Sequence, residues 1–187
     1  EAKDNNHTIG AGIQQAMEYA ETLDIPFVYS TNGNGYLEHD MTIHSGKVER
    51  ELSLEEFPSP EDLWKRYKKW KGVTERVEKP LTQPIHSGTS SRKPYYYQEI
   101  AINRTVQAIA KGQDRILLVM ATGTGKTYVA SQIIYKLWKS KTRNRILFLA
   151  DRNILLDQAK NGDSKIFKGA LTKVSKRKVD KSYEILL

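Results

Sequence analysis

The chain has 187 residues and no cysteine, which leaves room for one large domain or two small ones and excludes disulfides and thiolate metal sites. Its formal net charge is +8, and the excess is clustered: Lys65–Lys71 holds five basic residues around two aromatics, and Lys165–Lys181 holds seven against Asp180 alone. Such clusters fit a polyanionic partner, and with neither a signal sequence nor an apolar run long enough to span a membrane, a cytoplasmic protein is expected.

Glu1-Ala-Lys3 reads as the end of a strand, and the apolar spacing of Ile13, Ala16, Met17, Ala20 and Leu23 predicts a helix over 13–23. Ile25–Ser30 follows as a short strand closed by the turn Asn32-Gly-Asn-Gly35. Residues 47–92 are mixed and polar. Within them Ser59, Pro60, Glu61 and Asp62 form a good helix start, because Ser can cap, Pro suits the first turn and acids suit the helix dipole. Leu63, Trp64, Tyr67 and Trp70 then share one side of that helix. A packing face is the expected reading, and the interleaved Lys65, Arg66, Lys68 and Lys69 make a nucleic-acid platform the alternative. Thr82–Pro94 is rich in Pro, Ser and Gly and reads as a linker.

From Tyr95 the order is helix (Gln98–Ala110), strand (Arg115–Met120), loop, helix (Val129–Trp138), strand (Arg145–Ala150) and helix (Ile154–Lys160). That alternation specifies a parallel sheet with crossover helices. Ile116–Val119 is an unbroken apolar run, as a parallel strand covered on both faces requires. No internal repeat is apparent. The chain opens inside what reads as a motif and closes on the apolar Tyr183–Leu187, so it is read as an internal piece of a longer protein.

The loop Thr122-Gly123-Thr124-Gly125-Lys126-Thr127 is the most informative segment. Glycines there allow backbone N–H groups to turn around an anion, and the helix that follows adds partial positive charge at the phosphate. Lys126 can reach the β- and γ-phosphates, and the Thr127 hydroxyl can ligate Mg²⁺. The strict pattern asks for Gly where Met120 stands, and Tyr128 occupies the place where a dinucleotide fingerprint needs a third Gly or Ala. A nucleoside triphosphate, ATP with Mg²⁺, is therefore the expected ligand. Gln98 lies 28 residues before Lys126. Its amide can match the N6 and N7 edge of adenine, as Gln does on DNA, or it can simply cap its own helix. Tyr97 or its neighbours could pack beside the base.

Tyr97-Gln98, Ala121–Thr127 and Leu149-Ala-Asp-Arg-Asn153 resemble successive motifs of superfamily 2 helicases and translocases. The resemblance implies that Gln98 reads adenine, that Thr122–Thr127 holds the phosphates, and that Arg152 and Asn153 approach a DNA phosphate. The bland reading of Asp151 and Arg152 is a helix cap and a mutual ion pair. At the other end, Glu1 and Lys3 project to one face of a strand, and Gln15 and Tyr19, four apart, share one face of a helix. The set resembles the PD-(D/E)xK nucleases of the exonuclease-related branch. That implies Glu1 as a Mg²⁺ ligand, Lys3 beside the attacking water, and Gln15 and Tyr19 as further members of the catalytic set. The aspartate that this family carries on the preceding strand is not in the chain.

A nuclease, a linker and a superfamily 2 motor, in that order, are similar to the R subunits of type I restriction enzymes, and the resemblance covers most of the chain. The expected architecture is α/β: the C-terminal part of a PD-(D/E)xK nuclease domain over 1–46, a partly helical linker over 47–92, and the first, incomplete half of a RecA-like parallel-sheet P-loop domain over 93–187. The implied activity is ATP-driven translocation on double-stranded DNA with Mg²⁺-dependent endonuclease cleavage, in company with methylation and specificity subunits. The isolated stretch is expected to hydrolyse ATP negligibly. The rivals are a superfamily 2 DNA or RNA helicase without a nuclease, and a non-enzymatic nucleotide- or DNA-binding module. His7, His39, His44 and His86 are scattered without metal-ligand spacing.

Overall fold

The computed structural model describes residues 1–86, 93–150, 167, 169–172, 174 and 182–186, and they fall into two compact units, Glu1–Thr74 and Glu75–Leu187.

The first unit is built on a three-stranded antiparallel sheet of β1 (Phe27–Thr31), β2 (Tyr36–Asp40) and β3 (Glu49–Leu52) in that order. The register pairs Thr31 with Tyr36 and Phe27 with Asp40, so the hairpin turns through 32–35, where the glycine-rich run stands. Asn32 tightens that turn by accepting from the N–H of Asn34 at 3.1 Å. Beyond the free edge of β1, Ala2 bridges Thr31 in parallel, with Lys3 N donating to Thr31 O at 2.9 Å and Thr31 N to Glu1 O at 3.1 Å. The strand end expected at Glu1–Lys3 is therefore present.

Side chains alternate across the strands, so the sheet has two differently used faces. Val28 and Leu37 meet helix α1 (Ile13–Leu23), whose Ile13, Ala16, Met17 and Ala20 supply the apolar stripe predicted from their spacing. The opposite face is polar and aromatic. Tyr29 and Tyr36 pack on Phe57, and Phe27 lies under the Arg66 guanidinium at 4.6 Å. Arg66 belongs to α2 (Pro60–Lys71), which starts as predicted: Ser59 Oγ accepts from Asp62 N at 3.1 Å, Pro60 opens the first turn, and Gly72 closes the helix in the left-handed region. Trp64 and Tyr67 stack at 5.4 Å and Tyr67 meets Trp70 edge-on at 5.9 Å, so the aromatics along α2 form one continuous ladder.

The second unit begins with α3 (Glu75–Thr82), followed by α4 (Tyr96–Ala110) and α5 (Lys126–Lys139). Helices α4 and α5 share a core of Ile102, Val106, Val129 and Leu137, with Ile85, Met120 and Ile146 packed against it. A parallel sheet of β4 (Ile146–Leu147), β5 (Leu171–Thr172) and β6 (Ile185–Leu186) runs in the order β4-β6-β5, the parallel pairing the alternation called for. The stretch expected as linker does not stand apart: β3 and α2 lie within the first unit, and α3 within the second.

Two expectations need correction. Ile116–Val119 forms no strand ladder among the described residues, and Leu117 and Val119 are 87% and 82% exposed. A strand apolar on both faces is held by neighbours on both edges and cover above and below; this run has no paired edge among those residues, and only Ile116 and Leu118, on alternate positions, are partly covered. The strand expected over 145–150 is likewise only Ile146–Leu147, with Leu149 exposed. The helix expected over 154–160 lies outside the described residues.

Candidate active sites

In the first unit, the edge bridge and α1 bring together all four residues singled out there. Lys3 Nζ lies 3.1 Å from the Glu1 carboxylate and donates to Gln15 Oε1 at 3.2 Å. Gln15 Nε2 in turn donates to the Tyr19 hydroxyl at 2.7 Å. The result is one continuous line, Glu1–Lys3–Gln15–Tyr19. Glu1 and Lys3 share a face because they are two apart on an extended segment, and Gln15 and Tyr19 align because they are one helical turn apart. Each donor in the line has a fixed acceptor, so the ammonium is oriented from two sides. Among the described residues no group of three or more His, Asp or Glu side chains gathers around a common point. What this edge offers a divalent cation is one carboxylate, within the one or two that protein Mg²⁺ sites use alongside waters.

In the second unit, the glycine loop leads into α5 as predicted, with the helix starting at Lys126. Gly123 and Gly125 both take positive φ, +82° and +87°, the conformation glycine adopts without steric cost. A Cβ on Gly123 would meet nothing within 4 Å, so the loop is open on that side. No side chain caps α5, and the N–H groups of its first turn have no intrahelical acceptor by geometry. This is the donor set an anionic phosphate calls for. Lys126 is exposed and folds back on the loop, its Nζ donating to Ala121 O at 3.0 Å and Met120 O at 3.3 Å. Thr124 Oγ1 donates to Ala121 O at 2.7 Å and closes the turn, while Thr122 is exposed and Thr127 half-buried. The loop and its lysine therefore fit a triphosphate, and Thr127 fits the cation that accompanies one.

Gln98 is placed differently from the expectation of a base reader. It is 4% exposed, its Oε1 accepts from Tyr95 N at 3.1 Å, and its Nε2 donates to Thr124 O at 2.8 Å. The capping role weighed against adenine recognition is thus observed, with a tie to the glycine loop added. Tyr95, Tyr96 and Tyr97 form an exposed aromatic group beside it, and Tyr95 and Tyr97 stack at 5.6 Å. Arg152 and Asn153 lie outside the described residues.

Sequence reasoning missed a buried ionic cluster on the polar face of the first sheet. Glu38 (1% exposed) and Asp40 are two apart on β2, and both pair with Arg66, through Nη1 to Glu38 at 2.8 Å and through Nη2 to Asp40. Arg50 on β3 also pairs with Glu38, and the Tyr29 hydroxyl donates to it. Burial pushes the Glu38 carboxyl up, but hydrogen bonds from Arg66, Arg50 and Tyr29 outweigh that and leave it below the ordinary range. Asp40 is held low in the same way, with Thr42 and Arg66 overcoming its burial. Burial and then Glu38 push the Tyr29 phenol up. The signal in the sequence was Glu38-His-Asp40 inside a strand pattern, which puts two carboxylates on one face.

Comparison with known proteins adds four findings. Residues 91–186 match the family described as "Type III restriction enzyme, res subunit". The whole chain is 54% identical to the type I restriction enzyme EcoAI endonuclease subunit of Escherichia coli, covering 23% of that protein. It is also 38% identical over 147 residues to the EcoKI endonuclease subunit of Escherichia coli (strain K12), covering 74% of this chain and 12% of that one. Among solved structures, a fragment assigned as an HsdR subunit of a type I restriction enzyme from Vibrio vulnificus YJ016 aligns with a TM-score of 0.78 and 41% identity, over 97% of this chain and 32% of that chain. The chain thus spans less than a quarter of the length of the curated relatives it matches.

Proposed function

The chain belongs to the restriction-enzyme family described by that res-subunit profile and is homologous to type I restriction endonuclease subunits, and from that premise we propose that its first unit is part of a nuclease centre and its second part of an ATP-driven motor on double-stranded DNA. The observation that carries the reading is the line Glu1–Lys3–Gln15–Tyr19 in a chain that also holds an open glycine loop. A helicase without a nuclease has no need to order those four side chains.

At the nuclease edge, Glu1 holds the cation and Lys3 orients the attacking water or steadies the charge that develops on the scissile phosphate. Gln15 and Tyr19 act through Lys3, fixing the direction of its ammonium. In the motor unit, the loop amides and Lys126 hold the β- and γ-phosphates, where positioning and electrostatics provide most of the rate enhancement. Thr127 stands at the start of α5 to share the cation, and Gln98 keeps the loop in shape from beneath. Bound Mg²⁺ would supply charge neutralisation at the triphosphate and Lewis-acid activation at the cutting edge. Methylation and specificity subunits complete the assembly in this reading, and the clustered basic residues support DNA as the polyanion.

The test uses the full-length protein with its partner subunits on long duplex DNA. Lys126→Ala should abolish ATP turnover and translocation, and with them cleavage. Lys3→Ala should abolish cleavage alone. Cleavage that survives Lys3→Ala would sink the nuclease half, and translocation that survives Lys126→Ala would sink the motor half.

A further inference from the structure

Gly12, immediately before α1, has φ −96° and ψ −1°, a backbone any residue can adopt, so conformation does not explain a glycine here. Space does. A Cβ on Gly12 would stand 2.7 Å from Glu1 Cγ, 3.2 Å from Glu1 Cβ and 3.0 Å from Ser30 Oγ. The backbones that carry those neighbours are held in place. The Glu1 main chain is clamped to β1 by Thr31 N at 3.1 Å, and the segment is clamped again where Lys3 N donates to Thr31 O at 2.9 Å. Ser30 is fully buried in β1, and its Oγ accepts from Gly12 N at 3.1 Å, which fixes the distance between α1 and the sheet. An added methyl must therefore turn the Glu1 side chain about its own bonds, and the first casualty is the 3.1 Å contact between its carboxylate and Lys3.

Gly10 shows the contrast. A Cβ there would meet only Leu37 Cδ2, at 2.9 Å, the tip of a flexible apolar side chain. The two glycines stand two residues apart, and only one of them has its empty volume filled by a proposed metal ligand.

We propose that Gly12 is a positioning residue of the nuclease centre: its missing side chain makes the room in which the Glu1 carboxylate sits beside Lys3. The inference rests on the nuclease reading above and adds to it the residue that sets where the carboxylate stands.

The experiment compares Gly12→Ala, Gly10→Ala and Glu1→Ala in the full-length protein with its partner subunits. It measures duplex cleavage, ATP turnover, thermal melting, and Mn²⁺ affinity by titration of nucleotide-free protein. Gly12→Ala is expected to lower both cleavage and Mn²⁺ affinity by roughly 10- to 100-fold, the scale on which groups that orient metal ligands act. Its ATP turnover and melting temperature should stay at the parent's values, and Gly10→Ala should stay within about twofold of the parent throughout, as a change absorbed by a flexible neighbour does. Parent-like cleavage and Mn²⁺ affinity in Gly12→Ala, beside an inactive Glu1→Ala, would overturn the inference while leaving the nuclease reading intact. A Gly12→Ala protein whose melting temperature and ATP turnover fall together with cleavage would overturn it too, by making Gly12 a residue of the fold. A Glu1→Ala protein that still cuts DNA overturns the nuclease reading and this inference with it.

Discussion

The side-chain amide of Gln98 on α4 donates to the main-chain oxygen of Thr124 inside the glycine loop at 2.8 Å, while its own oxygen accepts from Tyr95 N at 3.1 Å. One buried residue therefore caps a helix and pins the glycine loop. Gly125 is shaped by the same contact, because a Cβ there would stand 2.6 Å from Gln98 Nε2. Two substitutions separate the roles. Gln98→Ala frees both partners, whereas Gln98→Glu keeps an acceptor for Tyr95 N and turns a repelling oxygen toward Thr124 O. Both are expected to weaken ATP binding by about tenfold, the equivalent of one lost hydrogen bond at a buried site. Titration of full-length protein with a fluorescent ATP analogue reads this directly. Unchanged affinity in Gln98→Glu would mean that the loop holds its shape without the tie.

Arg66 is the keystone of the polar sheet face. Its guanidinium serves Glu38 and Asp40 at once and lies over Phe27. Removing Arg66 leaves Glu38 to Arg50 and Tyr29 and Asp40 to Thr42, so Arg66→Ala is expected to destabilise the first unit by about 3 kcal/mol, the low end for breaking a buried ion pair. Chemical denaturation followed by the fluorescence of Trp64 and Trp70, on the same helix, measures it. The triple change Arg66→Met, Glu38→Gln, Asp40→Asn should recover most of the loss, because no buried carboxylate stays charged and the Arg50 side chain, half exposed, is solvated. A triple variant as unstable as Arg66→Ala would show that packing of the arginine, rather than its charge, is what matters.

The same cluster sets an acid limit. Glu38 and Asp40 have folded-state pKa values below their ordinary ones, despite burial, because Arg66, Arg50, Tyr29 and Thr42 bind the ionised forms. Their stabilisation is complete above the unfolded carboxylate range, roughly pH 4, and disappears as pH falls through the lower folded values. Stability of the first unit should therefore decline steeply on acidification below that range, with protons taken up on unfolding. In the triple variant the slope should flatten. An equal slope in both proteins would place the acid sensitivity elsewhere.

How much of this was legible in the sequence follows the range of the interactions. Helix α1 was found to the residue, and the start of α2 and the glycine loop were found by their chemistry, because periodicity, caps and positive-φ glycines are local signals. The line Glu1–Lys3–Gln15–Tyr19 was legible as two spacings, one on a strand and one on a helix, and only the family resemblance, not the spacings, implied that they would meet. Their meeting depends on the parallel bridge from Ala2 to Thr31, a contact 29 residues apart that no local pattern announces. Leu117 and Val119 mark the opposite failure. Their apolar run correctly suggested a segment suited to burial, yet burial is supplied by neighbours, and composition cannot say whether those neighbours pair with it. The Arg66 cluster was missed because a charge on a basic helix reads as solvated until a carboxylate pair is found facing it.

Helix α5 carries its own consequence beyond the loop from which it starts. Six residues past Lys126, Gln132 holds the main chain of His86 from both sides, with His86 N donating to Oε1 at 2.9 Å and Nε2 donating to His86 O at 3.1 Å. One turn further, the buried Lys136 donates to Leu81 O at 3.0 Å and Asn103 Oδ1 at 3.3 Å. The end of α3 and the segment after it are thus fastened to the helix that starts from the glycine loop. Burial pushes the Lys136 amine down, against an opposing pull from Glu99, so its charge is held at a cost. Gln132→Leu removes both hydrogen bonds from the half-buried main chain of His86 and is expected to cost about 1–3 kcal/mol. Lys136→Met, similar in length and free of a charge to desolvate, should cost less. Denaturation followed by Trp138, on the same helix, ranks the two. If Lys136→Met proved the more damaging, the buried ammonium would be a net stabilising contact, and its two oxygen partners would have to be worth more than its desolvation.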